Sequence, residues 1–149
     1  MDFKQYLSQA KHLLVSQPNQ MALLSNASAF LYEIIPTLNW VGFYIFDGDK
    51  LTVGPFQGKV ACSVIELGKG VCGQAAMERK TIIIDDVLSH DNHIACDAQS
   101  RSEVVIPIVI KGKLFGVLDV DSPVFSRFDQ ELVVFLEKFV SVLNKLIDK

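Results

Sequence analysis

The sequence predicts an α+β domain, a mostly antiparallel sheet with helices from both ends of the chain laid against it. Long helical periodicity is confined to the two ends, and the middle reads as short apolar runs separated by turn residues. Two of the turns, Asp47-Gly48-Asp49 and Lys111-Gly112-Lys113, join neighbouring runs as hairpins. Hairpins give antiparallel pairs, whereas parallel strands need a crossover of about a dozen residues or more. The chain has 149 residues and no repeats, linkers or low-complexity tracts, so residues 1–149 are expected to form a single domain.

Phe3, Tyr6, Leu7, Ala10, Leu13 and Leu14 recur at helical spacing, and a second helical pattern runs from about Asn19 to Ile35, halted by Pro36. Trp40 to Phe46 and Lys50 to Phe56 form the first hairpin. The next short apolar run, ACSVIEL, carries Cys62. A two-turn helix at most fits between Gly73 and Thr81, and Thr81 to Ile84 reads as a fourth strand. Val87 to Arg101 is polar and aperiodic, and loops of that length inside a compact domain are usually functional. Val104 to Ile110 and Leu114 to Asp121 form the second hairpin. Ser126 with Asp129 reads as a capping-box start to a last helix, whose Leu132, Val133, Phe135, Leu136, Phe139, Val140, Leu143 and Ile147 make a broad apolar face.

Composition narrows the function. Half of the residues are hydrophobic and ten are Phe, with a mean hydropathy of +0.30. The core is therefore expected to be large, or part of the apolar surface to face a partner such as a second copy of the chain. A net charge of -3, with Lys and Arg scattered, gives no footprint for nucleic acid. The longest apolar run, Val104 to Ile110, is far shorter than a bilayer span, and the N-terminal stretch has no cationic region ahead of an apolar one. A soluble, cytoplasmic protein is expected. Three cysteines, an odd number, argue for thiols in a reducing compartment rather than a secreted disulfide framework.

The stretch ELGKGVCGQAAMERK contains GxGxxG through Gly68, Gly70 and Gly73, followed by TIIIDD. A dinucleotide fingerprint also needs a full crossover helix and a parallel strand. The room after Gly73 is too short for one and the hairpins argue against the other. No Lys-Ser or Lys-Thr follows Gly73, which excludes a P-loop. What remains is a tight turn with Cys72 at or next to a helix start, where unpaired N–H groups favour a thiolate. A small buried hydrophobe is the alternative for Cys72, and Cys62 alone also reads as core. Cys96 lies in the polar loop HDNHIACDAQSRSE, where burial explains it poorly, so it is a candidate nucleophile, redox sensor or ligand. His90, His93 and Cys96 stand three apart, but zinc sites pair their ligands and no second pair exists, so no metal or other cofactor is expected.

NWVGFYIF, GPFQGKVACSVIELGKGVCGQAA, HIACDAQSRSEVVIPI and GVLDVDSPVFSRFD together resemble the free methionine-(R)-sulfoxide reductases, a GAF-domain enzyme family. The resemblance runs from about Leu38 to Leu132, and Cys62, Cys72 and Cys96 match the family's three cysteines. It implies a GAF-like fold and the thiol-dependent reduction of free methionine-(R)-sulfoxide to methionine, through a cysteine sulfenic acid and an intramolecular disulfide. Thioredoxin is the usual electron donor. The resemblance makes Cys96 the nucleophile, Cys62 the main resolving thiol and Cys72 the accessory one, whereas the residues alone rank Cys72 nearly level with Cys96.

Such a substrate needs acids, amide donors and an aromatic wall together. Asp119 and Asp121 alternate on one face of an apolar strand, and Glu103 opens its partner strand. With the resemblance, Glu103 and Asp121 are expected near the sulfoxide and Asp119 near the ammonium, though these roles are exchangeable. Trp40 and Tyr44 are expected to receive the methyl group, and backbone N–H groups of the Ile94, Ala95 and Cys96 loop the carboxylate. A GAF sensor that binds a small ligand without turnover, or a thiol redox sensor using the same cysteines, are the competing readings.

Overall fold

The computed structural model describes residues 1–92, 94 and 96–148. His93, Ala95 and Lys149 lie outside the described residues, and with them the expectations placed on His93 and on the Ala95 amide.

Three of the four described α-helices start where the N-cap side chain captures a free backbone N–H group. Asp2 accepts from Gln5 N–H at the head of α1 (Phe3–Leu14), and Asn19 from Ala22 N–H at the head of α2 (Gln20–Ile34). The first hairpin follows as β1 (Trp40–Phe46) and β2 (Lys50–Gly58), its turn held by Asp47, whose carboxylate accepts from the N–H groups of Asp49 and Lys50. Then come β3 (Val64–Glu66), α3 (Gly70–Glu78), β4 (Ile82–Ile84), a 3₁₀ turn (Val87–Ser89), β5 (Ser102–Ile110), β6 (Lys113–Ser122) and α4 (Gln130–Ile147). The β5–β6 turn puts both Lys111 and Gly112 at positive φ, the conformation that matches a two-residue hairpin to the strand twist.

The strands form one sheet in the order β3-β2-β1-β6-β5-β4, with every neighbouring pair antiparallel. The expected α+β class is what the molecule shows. Alternation along the strands divides the sheet into two faces. Val41, Phe43, Val104, Ile106, Ile108, Leu118 and Val120 point to a large core filled by α1, α2 and α4. Trp40, Tyr44, Val105 and Val117 point the other way, to a smaller core closed by α3. That second face carries the site.

Two local expectations are corrected. The strand expected over ACSVIEL begins only at Val64, so Cys62 sits in the connecting segment 59–63, where its carbonyl accepts from the Tyr44 hydroxyl instead of a ladder partner. Ser126 does not cap the last helix: it adopts φ 52°, and its N–H goes to Asp85 O. Asp129 is the cap, with Oδ1 accepting from Leu132 N–H at 2.9 Å, which moves the helix start three residues on.

Candidate active site

Register assembles the site. Across three adjacent strands Trp40 lies opposite Asp121, which lies opposite Glu103, and two residues along β6 Asp119 lies opposite Gly42 and Val105. The resulting pocket lies between the sheet, α3, the segment 59–63 and the residues Ile94, Cys96, Asp97 and Ser100. Counting its open mouth, it takes in about 500 Å³ of non-atom space. Trp40, Tyr44, Glu103, Asp119, Asp121, Ile94, Cys72 and Cys96 all line it, whereas Cys62 is not among its lining residues.

One wall is aromatic. Trp40 stacks on Tyr44 with ring centroids 5.8 Å apart and on Phe56 at 5.0 Å. Each polar tip is satisfied, Trp40 Nε1 donating to Lys59 O at 3.2 Å and the Tyr44 hydroxyl to Cys62 O at 2.9 Å. Phe56 was not among the expected site residues. Its signal lay in its pairing with Gly42 on the pocket face, which becomes visible only once the hairpin register is known.

The adjoining part of the same sheet face is acidic and buried. Glu103 and Asp119 are each 6% exposed and Asp121 8%, and no Lys or Arg is among the described residues lining the pocket. Burial is the largest influence on all three carboxyls and drives their pKa values up; the charges of their neighbours add to it. Asp119 is pushed up to about 8, held back by hydrogen bonds from Glu103 and Cys72. Glu103 and Asp121 are raised well above the ordinary carboxylate range. The cluster therefore carries protons at neutral pH and can donate them. One oxygen of Asp119 is buried without a hydrogen-bond partner, an acceptor aimed at whatever fills the pocket.

The cysteines divide. Cys62 and Cys96 are joined in a disulfide with Cα atoms 5.4 Å apart, within the usual span for such a bond. Cys72 is free and 5% exposed, in the first turn of α3. There the helix-start expectation fails. Burial first, then the charges of Asp119, Glu103 and Asp121, push the Cys72 thiol well above its ordinary value, so it is a neutral thiol and not a thiolate. Cys72 Sγ and one oxygen each from Glu103 and Asp119 lie within 4.8 Å of one another. That spacing could hold a small cation, but a proton-bearing cluster against an aromatic wall suits a polar organic ligand as well.

The glycine stretch is explained without phosphate. Gly68 and Gly70 take φ of 83° and 64°, and Gly68 N–H donates to Gly73 O, closing a compact turn ahead of α3. Asn92, which the sequence reading overlooked, locks this turn to the Cys96 loop. Its Oδ1 accepts from Gly70 N–H at 3.0 Å, and its Nδ2 donates to the carbonyls of Gly68 and Gly70. Ile94 packs on Gly70, and in this disulfide-bonded state Cys96 N–H is engaged with Ile94 O. Asn39 fixes the far end of the loop, donating to Asp97 and Ser100.

Residues 20–147 match the GAF domain family. The chain is 47% identical to the free methionine-R-sulfoxide reductase of Escherichia coli (strain K12) over 135 residues, covering 91% of this chain and 82% of that protein. Its structure is similar to that of fRMsr of Staphylococcus aureus in the reduced form, with a TM-score of 0.94 and 43% identity over 98% of this chain and 95% of that one. It is equally similar to the free methionine-R-sulfoxide reductase from Neisseria meningitidis in complex with its substrate, with a TM-score of 0.94 and 38% identity over 98% of this chain and 88% of that one.

Proposed function

The chain belongs to the GAF-domain free methionine-(R)-sulfoxide reductases, and from that premise we propose how its own residues turn over free L-methionine-(R)-sulfoxide. The observation that carries the reading is a disulfide between Cys62 and Cys96 beside a pocket that joins aromatic rings to three buried carboxyls. Cys96 as thiolate attacks the sulfoxide sulfur while a carboxyl of the Glu103–Asp121 pair protonates the oxygen. The protonated oxygen passes from the substrate sulfur to the Cys96 sulfur as the bond between the two sulfurs breaks, so methionine leaves with the electron pair and Cys96 is left as sulfenic acid. Cys62 then condenses with it, releasing water and forming the disulfide.

Trp40 and Tyr44 receive the methyl group, and the unpartnered acceptor of Asp119 supports its role toward the ammonium. The Ile94–Cys96 segment takes the carboxylate once the disulfide opens and frees its amides. Cys72, neutral and buried, has the accessory role. The same proposal takes residues 1–149 as one GAF-like domain, thioredoxin as the reductant, a homodimer as the assembly and the cytoplasm as the compartment. None of the described helices is long and apolar enough to cross a membrane.

Incubation with free methionine sulfoxide and dithiothreitol tests the core of the proposal. Methionine should form catalytically. A protein that binds the sulfoxide without releasing methionine would be a ligand sensor, and one whose thiols cycle with peroxide alone would be a redox sensor; either result overturns the reading.

A further inference from the structure

We propose that Tyr44 is a positioning residue for the disulfide step, its hydroxyl holding the Cys62 segment within reach of Cys96. This rests on the reading of Cys96 as attacking and Cys62 as resolving thiol. Segment 59–63 lies between β2 and β3 and belongs to neither. Among the described residues three hydrogen bonds hold it besides the disulfide: Tyr44 hydroxyl to Cys62 O at 2.9 Å, Trp40 Nε1 to Lys59 O at 3.2 Å, and Val53 N–H to Ser63 O at 2.9 Å. Two of the three come from side chains of the pocket wall, and one of those grips the cysteine itself.

Tyr44 is a fixed point from which to hold a loop. It is 2% exposed, sits on β1 between β2 and β6, and its ring stacks on Trp40. A buried phenol needs an acceptor for its O–H, and here that acceptor is the Cys62 carbonyl, so the donor is committed to the loop rather than to the pocket's contents. Cys62 itself is half-buried in a segment without a strand ladder of its own. Apart from the disulfide to Cys96, its position therefore follows from the side chains that tether it.

The step is self-contained. The sulfur of Cys62 attacks the sulfenic sulfur of Cys96, the S–S bond forms and the S–O bond breaks. The departing hydroxide takes up the proton lost by the Cys62 thiol and leaves as water. The Cys62 thiol is oxidised, the sulfenic sulfur is reduced, and no external reactant enters. The effective concentration of Cys62 at Cys96 sets both the rate of this step and the equilibrium of the finished bond. Loss of one tether of ordinary strength should lower each by about five- to tenfold.

Tyr44→Phe keeps the ring and removes only the hydroxyl. In a glutathione redox buffer without sulfoxide, the equilibrium constant for closing Cys62–Cys96 should fall about five- to tenfold relative to wild type. An unchanged constant overturns the proposal. In rapid-quench experiments with free methionine sulfoxide and a dimedone trap for sulfenic acid, the ratio of the disulfide-forming rate to the methionine-forming rate should fall by the same factor. If the two rates drop together and the ratio is preserved, Tyr44 is a wall residue only. Because the glutathione measurement contains no sulfoxide, it decides on the tether even if the wild type releases no methionine, a result that would sink the functional reading instead.

Discussion

At Cys72 two influences on a thiol oppose each other. The first turn of α3 offers N–H groups that favour a thiolate, but full burial beside Glu103, Asp119 and Asp121 disfavours any further negative charge, and burial is the larger effect. Cys96 lies on a half-buried loop and is joined to Cys62. Cys96→Ser should therefore abolish methionine formation even in a single turnover, because a hydroxyl is too weak a nucleophile toward sulfur. Substantial residual turnover would move the nucleophile to Cys72. Cys62→Ser should release about one methionine per protein molecule and then recycle slowly with thioredoxin; no methionine in the first turnover would give Cys62 the attacking role. Asp119 makes a further claim. If its free oxygen binds the substrate ammonium, that positive charge favours the ionised form of Asp119 when substrate is bound, and N-acetyl-methionine sulfoxide lacks the charge that this carboxylate then needs. The loss for a desolvated pair is roughly 2 to 5 kcal/mol, or about thirtyfold and more in kcat/KM. Comparable kcat/KM values for the free and acetylated substrates would sink the enclosed-site arrangement.

Among the elements, α3 and the Cys96 loop behave as one unit because Asn92 ties them together. Asn92→Ala removes three hydrogen bonds between the glycine turn and the loop, so the two should separate more often. In the disulfide-bonded protein Cys72 is the free thiol, which makes its labelling rate with a thiol reagent a direct reading of that separation. The rate should rise about tenfold or more in Asn92→Ala; equal rates would mean that other contacts hold the loop. What could be read from the sequence here followed from distance along the chain. The hairpins β1–β2 and β5–β6 are local and marked by turn residues, so their strands were legible nearly to the residue. The β1–β6 pairing brings Trp40 opposite Asp121 across some eighty intervening positions, and no local pattern encodes that register. Trp40, Glu103, Asp119 and Asp121 were named as site residues only because the motifs resembled a family. Phe56 and Asn92, which act through pairing and loop docking, left no comparable mark. Ser126 misled because a Ser three residues before Asp129 satisfies a capping pattern, whereas Asp129 makes the cap alone.

For the molecule as a whole, the sheet separates a face that is apolar throughout its core from one whose smaller apolar core also buries acids. The face under α1, α2 and α4 buries a continuous apolar core, while the face under α3 buries three carboxyls without a cation among the described lining residues. The pH dependence of folding has a definite sign. The folded Asp119 has its pKa raised from 3.8 to about 8, and Glu103 and Asp121 are raised as well. In each case the unfolded chain gives up its proton first as pH rises. The contribution of a raised carboxyl is fully present below the unfolded pKa and is lost as pH climbs through the folded one. For Asp119 that window runs from about 4 to about 8, and the loss amounts to at most about 1.4 kcal/mol per pH unit for one proton. The urea midpoint of the disulfide-bonded wild type should therefore fall between about pH 5 and about pH 9. Asp119→Asn removes one titrating group and relieves the charge on its neighbours, so its midpoint should fall less over the same range and overtake the wild type at the alkaline end. A wild-type midpoint that rises with pH, or a variant whose pH dependence parallels the wild type, would mean that the three carboxyls are ionised in the folded protein. That outcome would also remove the proton source from the sulfoxide chemistry, because an acid that has lost its proton at neutral pH cannot protonate the departing oxygen.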